Sequence, residues 1–272
     1  MNAPLTITGD GFVLNYSITE NVAPENFPPH FHEAWELLFF LRGDVSYRVE
    51  GKLYKLHRGD LVLSRPTVLH RIEPSGKEEY ERYSIILDGG IISERILEAL
   101  PSGVDVFSFG PQGRIIDLFD RIADYAKRFE GEELLLLVKN LIIELVCNLT
   151  ISDVYANGQA VTNPLISAAL CYIDEHLTEI SGIDEMCEHL YITKSHLHHL
   201  FTTHLGVTPK RYINSKRLLL AQRLIRKGKR ATEVAAEVGY SDYATFFRGY
   251  KGYFGYAPSE EVTKVSLDAI VG

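Results

Sequence analysis

The second half of this chain contains an internal repeat with an offset of 49 residues. HLFTTHLGVTP at 199–209 is followed by RGYKGYFGYAP at 248–258. The matched pairs are Tyr191/Tyr240, Leu197/Phe246, Phe201/Tyr250, Leu205/Phe254, Gly206/Gly255 and Pro209/Pro258. Apolar residues four apart that lead to Gly and Pro indicate a helix with one buried face and a defined end. Two copies are too few for a solenoid, so the repeat predicts one helical domain built from two similar units.

Each unit has the parts of a helix-turn-helix, predicted at about 183–204 and 232–253. In the second unit, small Ala235 stands where two helices approach closely, and Gly239 stands at a tight turn that needs positive φ. Ser241 is the expected cap of the helix that follows.

The first unit is expected to follow the same plan. Thr193 is the predicted cap of its second helix, and Leu190 replaces the turn glycine. A long helix over 209–226 joins the two units. Two copies in register, with this helix between them, favour a pair of DNA-reading units over a plain helical bundle.

Charge is distributed unevenly along the chain. The net charge of −8 argues against nucleic-acid binding when it is taken alone. Residues 194–251, however, contain twelve Lys and Arg and only three acidic residues, a net of +9, whereas residues 1–162 are acidic. The asymmetry indicates different partners for the two halves, and double-stranded DNA for the second.

A helix fits the major groove of DNA and reads base edges with its exposed face. The candidate base-contacting residues are Lys194, Ser195, His198, His199, Thr202, Tyr243, Ala244, Phe247 and Arg248. Basic side chains can also hold phosphates without reading sequence. The candidate phosphate contacts are Lys210, Arg211, Lys216, Arg217 and Lys251.

The first hundred residues read as short strands separated by turns, which predicts an antiparallel sandwich or barrel. The predicted strands are 37–41, 45–50, 52–56, 60–64 and 82–87, with Glu50-Gly51 at a hairpin turn. Helical periodicity follows over 114–130 and 132–150. The second of these helices is apolar nearly all round, so we expect it to pack deeply or to press against a partner chain, giving a homodimer.

These patterns divide the chain into an N-terminal domain at 1–155, a linker at 156–163 and a helical domain at 164–272. The fold class expected is α+β with two domains, the first a β-barrel with trailing helices. No basic-then-apolar leader opens the sequence, and the three cysteines are scattered. We therefore expect a cytoplasmic protein with reduced thiols.

Two histidines one residue apart begin a second pattern. The spacing His30-x-His32-x3-Glu36-x6-Gly43 resembles the first motif of cupin barrels, and Gly59-Asp60-x5-Pro66-x3-His70 approximates the second. Three imidazoles and a carboxylate would suit Zn, Fe, Mn or Ni. One interpretation is therefore a metal-dependent cupin enzyme with a helical appendage.

The stretch RLLLAQRLIRKGKRATEVAAEVGYSDYATFFRGYKGYFGYAPSEEV resembles the signature region of AraC-type transcription regulators. The resemblance spans residues 164–262. It implies two helix-turn-helix units on adjacent major-groove segments and a contact with RNA polymerase. Three features depart from the family pattern, namely Phe247, Gly249 and the Glu261-Val262 pair.

Many AraC-type regulators resemble this chain in the barrel motif too, and there the barrel is a sensor without a catalytic metal. The resemblance thus implies a small-molecule effector, no cofactor and no enzyme activity, with His30, His32, Glu36 and His70 kept only as metal candidates. The predicted ligand-binding residues are His30, His32, Trp35, Glu36, Arg42, Tyr47, Arg65, His70 and Tyr83. Aromatic rings among polar groups suit a sugar, although an aromatic acid or a peptide fits nearly as well.

We therefore predict a ligand-responsive, sequence-specific transcription regulator. Two alternatives stay open. One is the cupin enzyme, which would contain stoichiometric metal. The other is a constitutive DNA binder whose barrel only dimerises, which no small molecule would stabilise against heat.

Overall fold

A computed structural model of the protein describes residues 4–87, 90–110, 114–153 and 163–263. The strands are β1 (Leu5–Gly9), β2 (Phe12–Thr19), β3 (Trp35–Arg42), β4 (Val45–Val49), β5 (Lys52–Lys55), β6 (Asp60–Ser64), β7 (His70–Pro74), β8 (Tyr80–Leu87) and β9 (Val106–Ser108). The helices are α1 (Glu94–Glu98), α2 (Arg114–Arg128), α3 (Gly131–Thr150), α4 (Pro164–His176), α5 (Ile183–Leu190), α6 (Lys194–His204), α7 (Pro209–Arg226), α8 (Ala231–Glu237) and α9 (Tyr243–Phe254). The predicted α+β class, a cupin-like antiparallel domain followed by a helical one, is confirmed.

The strands form two antiparallel sheets. One has the order β1-β2-β8-β3-β6-β9 and the other the order β5-β4-β7. One core lies between the sheets, where Leu38 and Phe40 of β3 meet Tyr47 of β4. A second core lies on the other face of the larger sheet, where Leu37 and Phe39 pack with the helices α1–α3. Successive side chains of β3 therefore enter different cores, as strand alternation requires.

Helix α3 contributes one face to the second core through six buried apolar residues, Val138, Leu141, Ile142, Leu145, Val146 and Leu149. Leu136, on the same helix, is 60% exposed. Helix α3 thus packs deeply against the barrel of its own chain, which was one of the two predicted alternatives. It also presents apolar surface to solvent.

The predicted β4–β5 hairpin is present with a two-residue turn. Glu50 and Gly51 both have positive φ, 47° and 78°. A turn with two left-handed residues matches the twist of the flanking strands, which favours Gly at the second position. The turn projects the Glu50 side chain out of the barrel, toward the helical domain.

The caps of the two predicted reading helices differ from each other. Thr193 caps α6 as predicted, and its side chain accepts a hydrogen bond from the amide of His196. The prediction that Ser241 caps α9 is wrong, because Asp242 takes that role by accepting from the amide of Thr245. This bond lowers the pKa of Asp242.

The turns of the two units also differ. Gly239 has φ 88°, as predicted, and a Cβ there would lie 2.5 Å from the carbonyl oxygen of Thr178. In the first unit the left-handed residue is Tyr191, with φ 53°. Leu190 therefore keeps an ordinary helical conformation and does not need to be glycine.

The predicted linker and the boundary at residue 155 largely fall within 154–162, outside the described residues. The helical domain begins at α4, which Asn163 caps by accepting hydrogen bonds from the amides of Leu165 and Ile166. Among the described helices, none combines the length and apolar character that a bilayer span requires.

Candidate nucleic-acid interface and effector site

Helix α6 presents the first set of predicted base contacts to solvent. Lys194, Ser195, His198, His199 and Thr202 are all exposed. The opposite face of the helix is buried, with Leu197, Leu200 and Phe201 in the core of the first unit. The helix is therefore anchored on one side and presents polar side chains on the other. There the Lys194 ammonium lies 2.6 Å from the Asp184 carboxylate, and the Thr202 hydroxyl donates to the carbonyls of His198 and His199.

Helix α9 presents the second set. Tyr243, Ala244 and Arg248 are exposed, and the Arg248 guanidinium donates to the hydroxyl of Thr245 at 3.2 Å. Phe247 is only partly exposed and lies 6.2 Å from the Tyr243 ring, measured between centroids. A guanidinium on an exposed helix face can bind guanine with two parallel hydrogen bonds.

The predicted phosphate contacts fall into two groups. Lys210, Arg211 and Lys251 are exposed. Lys210 and Arg211 border an open groove between α7 and α9. Lys216 and Arg217 are buried, with 9% and 8% of their surface accessible. Their assignment as phosphate contacts is therefore corrected.

Interior contacts explain the burial of these two basic residues. The Lys216 ammonium lies 3.0 Å from the Asp174 carboxylate. The Arg217 guanidinium donates to the carbonyls of Leu177, Ile180 and Gly239. Burial lowers the pKa of Arg217. The Arg217 side chain joins α7 to the connection between α4 and α5 and to the turn of the second unit, which is a structural role.

In the barrel, the four metal candidates converge. One potential ligand atom from each of His30, His32, Glu36 and His70 lies within 4.8 Å of the others. Glu36 Oε2 is 3.2 Å from His32 Nε2 and 3.0 Å from His70 Nε2. Tyr47 stacks on His70 with ring centroids 6.0 Å apart and shares a hydrogen bond with Ser64. We call His30, His32, Glu36 and His70 the histidine cluster.

Unlike Tyr47, the remaining four predicted ligand-binding residues do not lie beside this cluster. Trp35 and Tyr83 face the core under α2, because strand alternation turns them away from Glu36. Arg42 is exposed and pairs with Glu79. Arg65 donates to the carbonyls of Val104 and Pro101 at 2.9 and 2.6 Å, near the rim of the larger sheet. The residues predicted to line a single pocket are thus spread over both cores and the surface.

The barrel and the helical domain meet along a contact that the sequence did not predict. We call it the seam, formed on the barrel side by Pro29, Phe31, Glu33, Glu50, Leu69 and Arg71. The Tyr212 hydroxyl donates to Glu50 Oε2 at 2.5 Å. The Phe31 ring packs edge-on against Tyr212 with centroids 5.3 Å apart, and Leu69 is buried in the core of the first helical unit.

Charge and close approach complete the seam. Glu33 accepts hydrogen bonds from the Arg223 guanidinium at 3.1 Å. Burial raises the pKa of Glu33, against the effect of the Arg223 charge. Gly206 has φ 73°, and a Cβ there would lie 2.8 Å from Pro29 and would clash with Arg71. The repeated glycine therefore serves a backbone turn and a domain contact together.

The buried acid of the seam has a perturbed environment. Burial raises the pKa of Glu50, while the Lys216 charge and the Tyr212 hydrogen bond act to lower it. Burial and the nearby Glu50 raise the pKa of Tyr212 well above its usual value. Tyr212 is therefore a hydrogen-bond donor at ordinary pH. No periodicity or motif marks these residues, because the pair is separated by 162 positions.

An antiparallel barrel joined to two helix-turn-helix units, with exposed polar reading faces, defines a two-domain DNA-binding regulator. Comparison with known proteins identifies the family. A model of the AraC-like ligand binding domain matches residues 17–135, and a helix-turn-helix domain model matches residues 186–263. The chain belongs to the AraC-type family of transcription regulators, with an N-terminal cupin-like domain.

Individual relatives are distant. The HTH-type transcriptional activator RhaS of Pectobacterium atrosepticum is 22% identical, over 93% of this chain and 95% of its own length. The lactose operon transcription activator of Staphylococcus xylosus is 23% identical, over 80% of each chain. A solved structure of ToxT from Vibrio cholerae aligns with a TM-score of 0.40 at 14% identity, over 93% of this chain and 98% of that one.

Proposed function

We propose that this protein is a ligand-responsive, sequence-specific activator of transcription that works in the cytoplasm. Both helix-turn-helix units bind one DNA duplex, in successive segments of the major groove. The barrel receives an effector, and the seam carries the effect of binding to the helical domain. The observation that carries the proposal is the pair of helices α6 and α9, each anchored by a buried apolar face and exposed on its polar face.

The seam gives the barrel a physical means of acting on the helical domain. Its contacts include a buried hydrogen bond, an ion pair and apolar packing, so a small shift of the barrel segments changes several of them together. Allostery requires that the effector bind the two domain arrangements with different affinity. The seam contacts exist in the docked arrangement of the two domains. An effector that favours this arrangement would strengthen them, and one that disfavours it would weaken them.

Sugars are the first effector class to test. One relative is named for a lactose operon, and the barrel has aromatic side chains near polar ones. The full chain should be heated with lactose, with other simple sugars and with aromatic acids. A ligand that binds the native protein must raise its melting temperature. If no sugar in the panel raises the melting temperature, the sugar class of effector is rejected.

A homodimer brings two such proteins to one operator, and the activator is proposed to contact RNA polymerase there. The outward apolar surface of α3, which includes exposed Leu136, supports the dimer. Leu136→Glu should shift sedimentation toward the monomer, whereas Glu132→Lys at the exposed start of the helix should not. A wild-type monomer at micromolar concentration would contradict the dimer.

DNA binding is tested with the full chain by fluorescence anisotropy. Fragments upstream of genes adjacent to its own gene are compared with shuffled fragments across a salt series. Specific binding is expected to exceed non-specific binding by about 10³-fold or more, and both should weaken as salt rises. No preference for any fragment at physiological salt would reject the proposal.

A further inference from the structure

The three imidazoles of the histidine cluster share one backbone arrangement. His30 Nδ1 lies 3.1 Å from the carbonyl oxygen of Pro28. His32 Nδ1 and His70 Nδ1 each lie 2.9 Å from a carbonyl oxygen, those of Ala34 and Val68. A carbonyl only accepts, so each Nδ1 must carry a proton. In a neutral imidazole, Nε2 is then left with a lone pair and no proton to donate.

When the three rings are neutral, the inward atoms of the cluster are therefore all electron-pair donors. Nε2 of His32 and of His70 approach the same carboxylate oxygen of Glu36, at 3.2 and 3.0 Å. Despite that distance, His70 Nε2 is buried and has no partner with hydrogen-bond geometry among the described residues. The His32–Glu36 contact has hydrogen-bond geometry, which requires a proton on Nε2 of that ring as well as on Nδ1. The Nε2 lone pair of a neutral His70 faces the same carboxylate oxygen and is repelled by it unless a cation lies between them.

Protons alone are a poor solution to this repulsion. Charging both His32 and His70 would place two imidazolium rings 4.8 Å apart, measured between centroids, in a buried site. A single divalent cation would satisfy all the inward atoms together. Its ligands would be three imidazole nitrogens and one carboxylate oxygen, a set that suits borderline transition metals and not Ca²⁺ or Mg²⁺.

We propose that the histidine cluster binds one divalent first-row transition metal, and that the helical domain senses whether the metal is bound. The backbone carbonyls at Pro28, Ala34 and Val68 are the outer partners that orient the three rings, as metal-binding histidines require. The preference for an organic pocket over a metal, drawn from the sequence, is thereby reversed for these four residues. The metal is a ligand additional to any organic effector.

The link to the helical domain follows from the alternation of side chains along two segments. In the first segment His30 and His32 point into the cluster, while Phe31 between them packs on Tyr212. Pro29 and Glu33, at either end, also contact the helical domain.

The second segment repeats this alternation. His70 points into the cluster, while its neighbours Leu69 and Arg71 contact the helical domain. The two segments are joined by reciprocal backbone hydrogen bonds between His30 and His70, both 3.2 Å. Each of the three histidines is thus one residue away from a residue of the seam.

Metal binding would therefore fix the seam. Coordination holds imidazole nitrogens about 2.0–2.1 Å from a Zn²⁺ ion, which fixes the two segments relative to each other. Without the cation, the two segments are held only by the backbone hydrogen bonds between His30 and His70, so the packing of Phe31 on Tyr212 is less tightly fixed. This inference rests on the proposed function for its biological meaning, but its physical content does not depend on DNA.

Metal binding is tested first, with the full chain stripped by chelator and titrated with Co²⁺. The visible absorption of Co²⁺ reports bound metal and its geometry. One equivalent is expected for wild type and for the control His57→Ala, whose ring is an exposed barrel histidine. His32→Ala and Glu36→Gln should each lose the absorption while keeping the wild-type circular dichroism spectrum. Binding of less than about a tenth of an equivalent by folded wild type would overturn the proposal.

Sensing is tested by hydrogen exchange with Zn²⁺ as the probe. Zn²⁺ is expected to slow exchange of the Leu69 amide, which donates to Glu50 at 3.0 Å, and of the α7 amides around Tyr212, each by on the order of fivefold or more. Phe31→Ala should keep the metal and lose most of this protection in α7. Stoichiometric binding without any change in seam exchange would overturn the sensing claim.

The two proposals fail in different ways. Loss of all DNA preference, with metal-dependent seam exchange intact, would reject the regulator and leave the metal sensor standing. DNA preference with no metal, or with a metal that leaves the seam unchanged, would reject this inference alone.

Discussion

The Tyr212 hydroxyl donates a hydrogen bond to Glu50 Oε2 at 2.5 Å, joining the long helix of the DNA-binding domain to the hairpin tip of the barrel. Tyr212 is buried and Glu50 is partly buried at the contact, and Glu50 also accepts from the Leu69 amide. The tip of a surface hairpin thus becomes part of a domain contact. The turn that exposes Glu50 is local, whereas its partner is distant in sequence.

Tyr212→Phe tests the strength of this contact. It removes the donor and leaves the Glu50 carboxylate buried with one bond fewer, so a loss of about 1–3 kcal/mol of unfolding free energy is expected. Urea unfolding, followed by tryptophan fluorescence, measures it. Tyr191→Phe is the control because Tyr191 is 96% exposed. Equal stability of both variants would show that the hydrogen bond contributes nothing to docking.

Glu50 should also make stability depend on pH. Its pKa is raised by burial in the folded protein, although Lys216 and the Tyr212 hydroxyl oppose this and Asp174 adds to it. The folded state therefore binds the proton more tightly than the unfolded state does. The stabilising contribution is fully present below the unfolded pKa of about 4.3 and is lost as pH rises through the folded value.

The measurement is the difference in unfolding free energy between wild type and Glu50→Gln, taken at a series of pH values. Taking this difference cancels the contributions of the other carboxylates, some of which have a lowered pKa in the folded protein. Wild type should lose stability relative to the variant as pH rises from about 4 upward. If wild type instead gains stability relative to the variant as pH rises, Glu50 is stabilised as a carboxylate.

Arg248→Ala tests direct readout by the second unit. The guanidinium is exposed on α9, and its loss should cost about 1–3 kcal/mol of specific binding and relax one base position. Competition with singly substituted operator fragments measures this. Lys251→Ala is the matched control, expected to weaken binding to all sequences and to flatten the salt dependence. Equal weakening on all DNA by Arg248→Ala would assign it to phosphate.

Arg217 and Lys210 separate structure from phosphate binding within one helix. Arg217→Ala removes the guanidinium that donates to the carbonyls of Leu177, Ile180 and Gly239. It should lower the free energy of unfolding by more than about 3 kcal/mol. Lys210→Ala, at an exposed position, should leave the melting temperature unchanged and flatten the salt slope of DNA binding. The reverse pattern would restore Arg217 as a phosphate contact.

Local signals in the sequence predicted much of the fold. Gly239 marks a left-handed turn, Thr193 a cap and Glu50-Gly51 a hairpin, since each depends on a few neighbouring residues. The Ser241 cap was off by one position, because Ser and Asp are adjacent and both can cap. Charge alone misplaced Lys216 and Arg217, because α7 is surrounded by both units and has little free surface.

The candidate site in the barrel was predicted only in part. The spacing of His30, His32, Glu36 and His70 places them together, but composition could not tell which face of a strand carries Trp35 or Tyr83. The seam was not predictable, because its apolar residues Phe31 and Leu69 and its acids Glu33 and Glu50 follow no sequence pattern and contact partners that are distant in sequence. The burial of Glu261 was not predicted either. Glu261 departs from the family pattern, yet it is buried and accepts a hydrogen bond from Arg226 at 2.7 Å.

Hydroxyl-radical footprinting of the full chain on its operator tests the central claim most directly. Two helix-turn-helix units that read successive grooves should protect two segments per protein, about 10 base pairs apart and on one face of the duplex. Variants at Ser195 and Arg248 should each weaken one segment and leave the other in place. A single protected segment, or two on opposite faces of the duplex, would contradict the account.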